Sequence, residues 1–154
     1  TERRQNMEET MQEQMEREIR ESMDKLYPKD PDHLYSKMQI EFYSCSYEKK
    51  SVTLRFPIQR WELNHMSTVH GGIIASAIDT ACGTAVRSVS GKTMIPTINL
   101  NINYLSPGTA GDALLVTARA DRAGRRICNI SAQCRSEKTG KLIATATANF
   151  MIAE

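Results

Sequence analysis

Apolar residues near the N-terminus recur at the spacing of a helix. Glu, Arg and Gln fill the positions between them, and this pattern predicts an amphipathic helix over residues 2–26. The stretch YPKDPDH at 27–33 ends it, because its two prolines disfavour a helix. We expect the apolar stripe to pack on its own domain or on a partner subunit. The stripe consists of Met7, Met11, Met15, Ile19, Met23 and Leu26.

Between residues 37 and 58 the apolar positions alternate with a period of two. A turn at EKK divides this stretch, so it predicts an antiparallel hairpin, and the polar residues 59–72 then favour a loop. The residues expected to share the inward face are Met38, Ile40, Phe42, Val52, Leu54 and Phe56.

From Gly72 to about Ser88 the pattern is helical again. Few charges interrupt it, so we expect a helix that is buried nearly all round. A row of small residues and a set of bulky ones supply its packing surface: Ala77, Ala81 and Ala85, with Ile73, Ile74 and Ile78.

Four strand-like runs complete the chain, at 94–106, 113–122, 126–136 and 142–153. Turns are predicted at Ala123-Gly124 and at 137–141. The first run alternates strictly, with its apolar set on one face and its polar set on the other. These sets are Ile98, Leu100, Ile102 and Tyr104 against Thr97, Asn99, Asn101 and Asn103.

One apolar helix against an antiparallel sheet predicts an α+β architecture, and a sheet with one wet face explains the alternating strands. A single helix cannot cover the full sheet and also bury its own far side. We therefore expect the chain to associate with itself. Residues 1–30 are expected to be a helical extension, and residues 36–154 the main domain.

Composition excludes several classes of protein. With 154 residues the chain is long enough to bury one core, and its net charge of +2 is too small to indicate nucleic acid binding. Residues 1–27 carry eight acids and five bases, so the rest of the chain is basic and suits an anionic ligand. No apolar run approaches the length of a membrane span. The four cysteines form no C-x-x-C pair, which disfavours a metal site and fits free thiols in the cytoplasm.

Asp79 interrupts the apolar pattern of the central helix. No residue three or four positions away on that helix is cationic, so no local ion pair compensates the carboxylate. Burying an unpaired carboxylate is costly, and such a residue usually has a task or a hidden partner. Gly71 stands near the predicted helix start, where a backbone N–H is unused and the helix dipole favours negative charge.

Each of these residues taken alone also has a purely structural explanation. Gly71 and Gly72 would form a tight entry to the helix, and Asp79 would bond a neighbouring strand. His70 would be a capping residue, Asn64 a turn residue and Thr97 an ordinary strand threonine. Their joint spacing is what indicates a site.

That spacing resembles the hotdog-fold acyl-CoA thioesterases of the PaaI type, which are associated with phenylacetate catabolism. The resemblance covers residues 36–153 and leaves the N-terminal helix outside. It rests first on Asn64, on VHGG at 69–72 and on Asp79, nine residues after His70. Further marks are PTINLNINYLSP at 96–107, GD at 111–112 and GKLIATATANF at 140–150. The resemblance implies a hotdog fold, in which an antiparallel sheet wraps around one central helix.

The resemblance also implies a mechanism for hydrolysing acyl-CoA to a free acid and CoA. The Gly71 N–H polarises the thioester carbonyl, Asn64 helps to hold it, and His70 shapes the pocket. Asp79 acts as general base or nucleophile, and Thr97 positions a water molecule. No metal or separate cofactor is expected, because coenzyme A is part of the substrate. Gly72 is expected to contact the substrate.

Helix geometry adds that the site is shared between subunits. Gly71 and Asp79 are eight residues apart, which is about 12 Å along one helix, so one chain cannot place both on one carbonyl. We therefore expect a homodimer as the minimal unit, and a homotetramer as the assembly. Arginines near one turn are candidates for the CoA phosphates: Arg119, Arg122, Arg125 and Arg126. The cluster would otherwise be an ordinary solvated turn, and Arg55 and Arg60 are equally possible contacts.

Two other functions stay open from the sequence. A hydratase or dehydratase on the same fold would use different motifs, which are not found here. A non-catalytic acyl-CoA binding module would keep the pocket but has no need of Asp79. The acyl group, aromatic or medium-chain fatty, is not determined.

Overall fold

The chain forms one six-stranded antiparallel sheet with a long helix against it and a second helix alongside. A computed structural model describes residues 8–153. The helices are α1 (Met11–Leu26), α2 (Leu34–Lys37) and α3 (Gly71–Ser90). The strands are β1 (Glu41–Ser46), β2 (Ser51–Pro57), β3 (Thr97–Tyr104), β4 (Ala113–Ala123), β5 (Ile127–Ser136) and β6 (Leu142–Met151). The predicted order of helix, two strands, central helix and four strands is confirmed.

The strand order in the sheet is β1-β2-β4-β5-β6-β3, and every neighbouring pair is antiparallel. Inward-facing residues of β2, β4, β5 and β6 pack on α3 and form the core. The outer face is polar: Thr53 bonds Thr117 across two strands at 2.7 Å, and Asn149 donates to Asn99 at 2.8 Å. The sheet therefore has one wet face, and the layers are those of the expected hotdog fold.

The expectation that α3 is buried nearly all round holds for its C-terminal half, where residues 81–86 are all buried, but not for its N-terminal half, which is buried on one side only. The small residues Ala77, Ala81 and Ala85 are fully buried against the sheet. On the opposite side Ser76 and Asp79 are only half-buried, because no element of residues 8–153 covers the N-terminal half of the helix there. This open face presents the polar side chains of α3 to solvent or to another subunit.

Helix α1 is shorter than the predicted 2–26. It begins at Met11 because Thr10 and Glu13 form a reciprocal capping box, which stops the helix from extending towards residue 8. Residues 1–7, including Met7, lie outside the described part of the chain. The middle of the predicted stripe is buried, whereas its ends, Met11 and Leu26, are 52% and 39% exposed.

The first helix packs on its own domain. Met15, Ile19 and Met23 join the main core. Gln12 bonds the hairpin twice, donating to the Cys45 carbonyl at 2.9 Å and accepting from the Tyr47 N–H at 2.8 Å. None of the helices in residues 8–153 is long and apolar enough to cross a membrane.

The hairpin and β3 differ from their predicted form in two places. The first hairpin strand begins at Glu41 rather than 37, because residues 34–37 close a short helix capped by His33. Strand β3 is not strictly alternating. Its pairing with β6 slips between Thr97 and Asn99, which makes Ile98 a bulge residue that is 49% exposed. The bulge turns Thr97 towards α3, the side that strict alternation assigned to Ile98.

Candidate active site

The central helix begins at a glycine whose backbone N–H is free. His70 caps α3, and its Nδ1 accepts a hydrogen bond from the Gly72 N–H at 2.9 Å. A neutral His70 therefore carries its proton on Nε2. Within residues 8–153 the Gly71 N–H has no acceptor, and it lies at the positive end of the helix dipole. This donor can bind an oxygen that gains negative charge.

Gly72 supports the cap rather than offering a second free donor. Its N–H is occupied by His70, and a Cβ added at Gly72 would lie 3.0 Å from the His70 Nδ1. A side chain here would displace the imidazole ring. The glycine pair therefore divides its work: Gly71 leaves a donor open, and Gly72 makes room for the capping histidine.

Tyr104 also contacts Gly71, and sequence reasoning did not place it in the site. Its hydroxyl donates to the Gly71 carbonyl at 2.7 Å, and its ring lies 3.4 Å from where a Gly71 Cβ would stand. The tyrosine joins the end of β3 to the start of α3. The only sequence feature that could have indicated this contact is the place of Tyr104 as the last inward-facing residue of the strand segment NINY.

Asn64 holds the loop that leads into the helix. Its Oδ1 accepts from the N–H groups of Met66 and Thr68 at 2.9 and 3.2 Å, and its Nδ2 donates to the Thr68 Oγ1 at 3.0 Å. The His70 N–H donates to the Glu62 carbonyl at 2.8 Å and completes the anchoring. The structural interpretation of Asn64 as a turn residue is therefore correct. One Nδ2 hydrogen has no acceptor among the described residues and stays available for a ligand.

Asp79 is bonded to Thr97, which brings together two of the predicted site residues. The Thr97 Oγ1 donates to the Asp79 Oδ1 at 2.7 Å. No cationic side chain of residues 8–153 forms an ion pair with Asp79. Its second oxygen, Oδ2, accepts no hydrogen bond from these residues. Half-buried on the open face of α3, this carboxylate has one oxygen fixed and one free to react.

Cys82 lies one turn from Asp79 but is not a competing nucleophile. Burial, with a smaller contribution from the nearby Asp79 carboxylate, raises the pKa of its thiol to about 12. A thiol in this state stays protonated near neutral pH and reacts poorly. Asp79 is therefore the better candidate for a reactive group in this part of the helix. Nowhere in residues 8–153 do three His, Cys, Asp or Glu side chains come together as a metal site would require.

The four arginines predicted as one cluster are divided. Strand alternation places Arg119 on the outer face of the sheet, where it forms an ion pair with Asp121 at 3.0 Å. Arg125 and Arg126 instead line a groove with Lys92, a residue that sequence reasoning did not select. Arg122 lies on the exposed end of β4, outside that groove.

One chain thus presents two half-sites on the same helix. The first contains Asn64, His70, Gly71 and Tyr104 at its N-terminus, and the second is the pair Asp79 and Thr97 two turns later. They are about 12 Å apart along the helix axis. The first half-site can bind a carbonyl oxygen, and the second can activate water or attack a carbon.

Comparison with protein families gives a match to the thioesterase superfamily over residues 66–143. Mouse acyl-coenzyme A thioesterase 13 is 28% identical over 87 residues, which are 56% of this chain and 62% of the mouse protein. The medium/long-chain acyl-CoA thioesterase YigI of Escherichia coli K12 is 31% identical over 122 residues, covering 69% of this chain and 77% of YigI. The chain spans just under two thirds of the length of the mammalian relatives.

Solved structures show the same fold. The E. coli PaaI protein of the phenylacetic acid degradation operon superposes with a TM-score of 0.77 at 20% identity, over 91% of this chain and 96% of PaaI. A putative thioesterase from Ralstonia eutropha JMP134, described as phenylacetic acid degradation-related, superposes with a TM-score of 0.74 at 27% identity. The match covers 90% of this chain and 98% of the R. eutropha protein. A Streptococcus mutans UA159 protein solved with acetyl-CoA superposes with a TM-score of 0.65 at 25% identity. The match covers 74% of this chain and 88% of the S. mutans protein.

Proposed function

Because this chain belongs to the thioesterase superfamily and has the PaaI-type hotdog fold, we propose that it hydrolyses acyl-CoA thioesters to a free acid and coenzyme A. The observation that carries this proposal is the Asp79–Thr97 pair. The bond from Thr97 at 2.7 Å ties one Asp79 oxygen to strand β3, but the carboxylate has no cationic partner among the described residues and its second oxygen is open, which suits a base or a nucleophile.

The first step is binding of the thioester carbonyl at the N-terminus of α3. The free Gly71 N–H donates to the carbonyl oxygen, and this bond strengthens as the oxygen becomes negative in the tetrahedral intermediate. The spare Nδ2 hydrogen of Asn64 is a second donor in the same region. Tyr104 and the His70 cap keep the glycine in position.

The second step uses the free oxygen of Asp79. As a general base, Asp79 takes a proton from water while the water oxygen attacks the carbonyl carbon, and Thr97 accepts the second hydrogen of that water. When the C–S bond breaks, the proton passes to the leaving thiolate of CoA. In the alternative, Asp79 attacks the carbon directly, the C–S bond breaks and CoA leaves as the thiolate, and water then hydrolyses the anhydride formed between the acyl group and Asp79. Both routes require Thr97 to hold Asp79 Oδ1.

The two half-sites meet only if two chains pair around a two-fold axis. Antiparallel packing of the open faces of two α3 helices would set Asp79 of one chain against Gly71 of the other. Each dimer then has two sites. We propose this homodimer as the minimal unit, a homotetramer as the assembly, and the cytoplasm as the location, since all four cysteines are free thiols.

The relatives support a proposal for the substrate class. YigI is named for medium- and long-chain acyl-CoA, and the R. eutropha protein is linked to phenylacetic acid degradation. Acetyl-CoA is bound to the S. mutans protein. Medium-chain fatty acyl and aromatic acyl groups are therefore the two classes that we propose for this chain.

A thiol-release assay with a panel of acyl-CoA substrates tests the proposal. We expect turnover of at least one medium-chain or aromatic thioester, with free CoA detected by dithio-nitrobenzoate. Parallel incubation with an enoyl-CoA detects a hydratase by its hydroxyacyl product. Tight acyl-CoA binding without thiol release would instead identify a binding module and contradict the proposal.

A further inference from the structure

A cationic groove lies at the end of the sheet where α3 finishes. Its walls carry Lys92, Arg125 and Arg126, and its apolar part is formed by Ile127 and Met151. The volume of the groove is about 700 Å³. Within residues 8–153 none of the three cations forms an ion pair, in contrast to Arg119. Three unpaired positive charges around one groove indicate an anionic ligand.

Main-chain hydrogen bonds hold the walls of this groove together. The Ile152 N–H donates to the Arg126 carbonyl at 2.7 Å, which joins the end of β6 to the β4–β5 turn. The Ala153 N–H donates to the Met94 carbonyl at 2.9 Å, which joins the same segment to the α3–β3 loop that carries Lys92. The cations therefore come from two loops whose backbones are fixed to one strand end.

The groove is next to the second half-site. The Met151 N–H donates to the Pro96 carbonyl at 2.9 Å, and Pro96 directly precedes Thr97, the partner of Asp79. Lys92 lies five residues before Thr97, so even an extended backbone separates them by no more than about 17 Å. The pantetheine arm of CoA has thirteen bonds from phosphorus to sulfur and spans about 15 Å when extended. A CoA nucleotide in the groove therefore lets the thioester reach Asp79.

The exposed apolar side chains limit the chemistry of the ligand. Ile127 and Met151 face each other across β5 and β6 and are 48% and 47% exposed. Such a pair offers a flat apolar surface for a planar ring, beside cations suited to phosphate. A ligand with both features is a nucleotide. A free polyphosphate would use the cations alone.

We propose that Lys92, Arg125 and Arg126, with Ile127 and Met151, bind the adenosine phosphate end of the CoA substrate. This assignment rests on the proposed acyl-CoA hydrolysis and replaces the predicted set of four arginines with a groove that includes Lys92. The groove recognises the carrier and not the acyl group. It acts on substrate binding and contributes nothing to bond breaking.

The test compares two thioesters of the same acid, one with CoA and one with pantetheine, which lacks the nucleotide. Lys92→Glu and Arg126→Glu are the test variants, and Lys141→Glu, an exposed lysine in the β5–β6 turn, is the matched charge control. We expect each test variant to raise KM for the CoA thioester about tenfold, at unchanged kcat. KM for the pantetheine thioester should stay constant in all variants. Added salt should raise KM only for the CoA thioester.

Equal KM values for the CoA thioester in the test variants and the control would overturn the assignment while leaving thioester hydrolysis intact. An equal rise for both thioesters would overturn it as well, because it would show general damage. If the wild-type protein hydrolyses neither thioester, the proposed function fails. The groove is then tested separately by calorimetry with 3′-phospho-ADP. Loss of its binding in Lys92→Glu supports the groove, and unchanged binding rejects it.

Competition separates a nucleotide site from a simple anion site. Inhibition by 3′-phospho-ADP should be much stronger than inhibition by inorganic pyrophosphate at the same concentration. Met151→Ser should weaken inhibition by 3′-phospho-ADP without affecting pyrophosphate. Equal inhibition by both ligands would show that Ile127 and Met151 do not participate, and would contradict the adenosine assignment.

Discussion

Asp79 has one oxygen fixed by Thr97 and one oxygen without a partner. The sequence predicted Asp79 from its place on an apolar helix, and it predicted Thr97 only through a family resemblance. Strict alternation would have turned Thr97 away from α3. The bulge at Ile98 reverses this, and no residue in PTINL signals a bulge, because the slip arises from pairing with β6. The sequence alone singled out Asp79 as a candidate. The contact with Thr97 could not be predicted from the local pattern, because it depends on how β3 pairs with the distant strand β6.

Replacing Asp79 by Asn tests the carboxylate with minimal change of shape. The amide oxygen of Asn can still accept from Thr97, but it can neither take a proton nor attack efficiently. We expect kcat to fall on the order of a hundredfold or more in Asp79→Asn and Asp79→Ala, with the fold and oligomer intact. Steady-state kinetics and size-exclusion chromatography check this. Retention of more than half the activity would disprove the proposed role.

Thr97 can be tested by a matched pair of variants. Thr97→Ser keeps a hydroxyl that can donate to Asp79, whereas Thr97→Val has a similar shape and no donor. Hydrogen bonds to charged groups contribute about 1.5–3 kcal/mol, so we expect kcat to fall roughly tenfold to a hundredfold in Thr97→Val and much less in Thr97→Ser. Equal activities of the two variants would show that the hydroxyl plays no part.

Glu62, in the loop before α3, should make the free energy of unfolding depend on pH. Burial raises the pKa of the Glu62 carboxyl. The hydrogen bond that the Gln59 N–H donates to this carboxyl lowers the pKa, but its effect is smaller than that of burial. The folded protein therefore binds more protons than the unfolded chain from about pH 4.3 up to the raised pKa. Its free energy of unfolding must decline as pH rises through that window. Urea unfolding of Glu62→Gln should show a smaller decline than wild type, and Glu48→Gln, at an exposed turn residue, should match wild type.

At the scale of elements, the periodicities located each helix and strand, and the errors lie at the ends. Residues 8–10 carry a helical pattern but stay extended, because the capping box of Thr10 and Glu13 stabilises a start at Met11. The T-x-x-E motif was visible in the sequence and could have fixed that start. The open face of α3 was not predictable, because an apolar pattern does not show which side of a helix the rest of its own chain leaves uncovered.

Helix α1 should stabilise the domain without taking part in the chemistry. Ile19 is 3% exposed and Met11 is 52% exposed, so they form a test and a control on one helix. We expect Ile19→Ala to lower the free energy of unfolding by about 2–5 kcal/mol and Met11→Ala to change it little.

Deleting residues 1–27 should leave a folded, active protein of lower stability. Total loss of activity in a folded truncation would show that the helix helps to form the site.

At the scale of the whole molecule, the distance along α3 separates the two proposed half-sites of one chain. The Gly71 half-site and the Asp79 half-site are about 12 Å apart, too far for one thioester carbon. In the proposed homodimer, the Gly71 half-site of one chain and the Asp79 half-site of the other would meet at one thioester. The sequence was sufficient for this inference, since it needs only the spacing of two residues on one helix. The hydrophobic pattern of a single chain does not show which faces would pair in an assembly.

A mixed dimer tests the shared site. Asp79→Ala and Asn64→Ala each damage one half-site and are expected to be almost inactive alone. In a dimer of one chain of each kind, one site carries both lesions and the other carries none. Equal mixing makes about half the dimers mixed, so activity should recover to about a quarter of wild type. No recovery, with subunit exchange confirmed by mass spectrometry, would place the whole site in one chain.

The position of β3 in the sheet has a consequence for biosynthesis. Strand β3 pairs only with β6, the last strand, and its slip against β6 is what turns Thr97 towards Asp79. The ribosome synthesises β3 before β6, so β3 has no sheet partner until β6 has been made and has left the ribosome. Chains that stop before residue 142 would contain every proposed catalytic side chain and still be unable to assemble the Asp79–Thr97 pair. If the proposed mechanism holds, the ten-residue strand β6 determines when the nascent protein can become active.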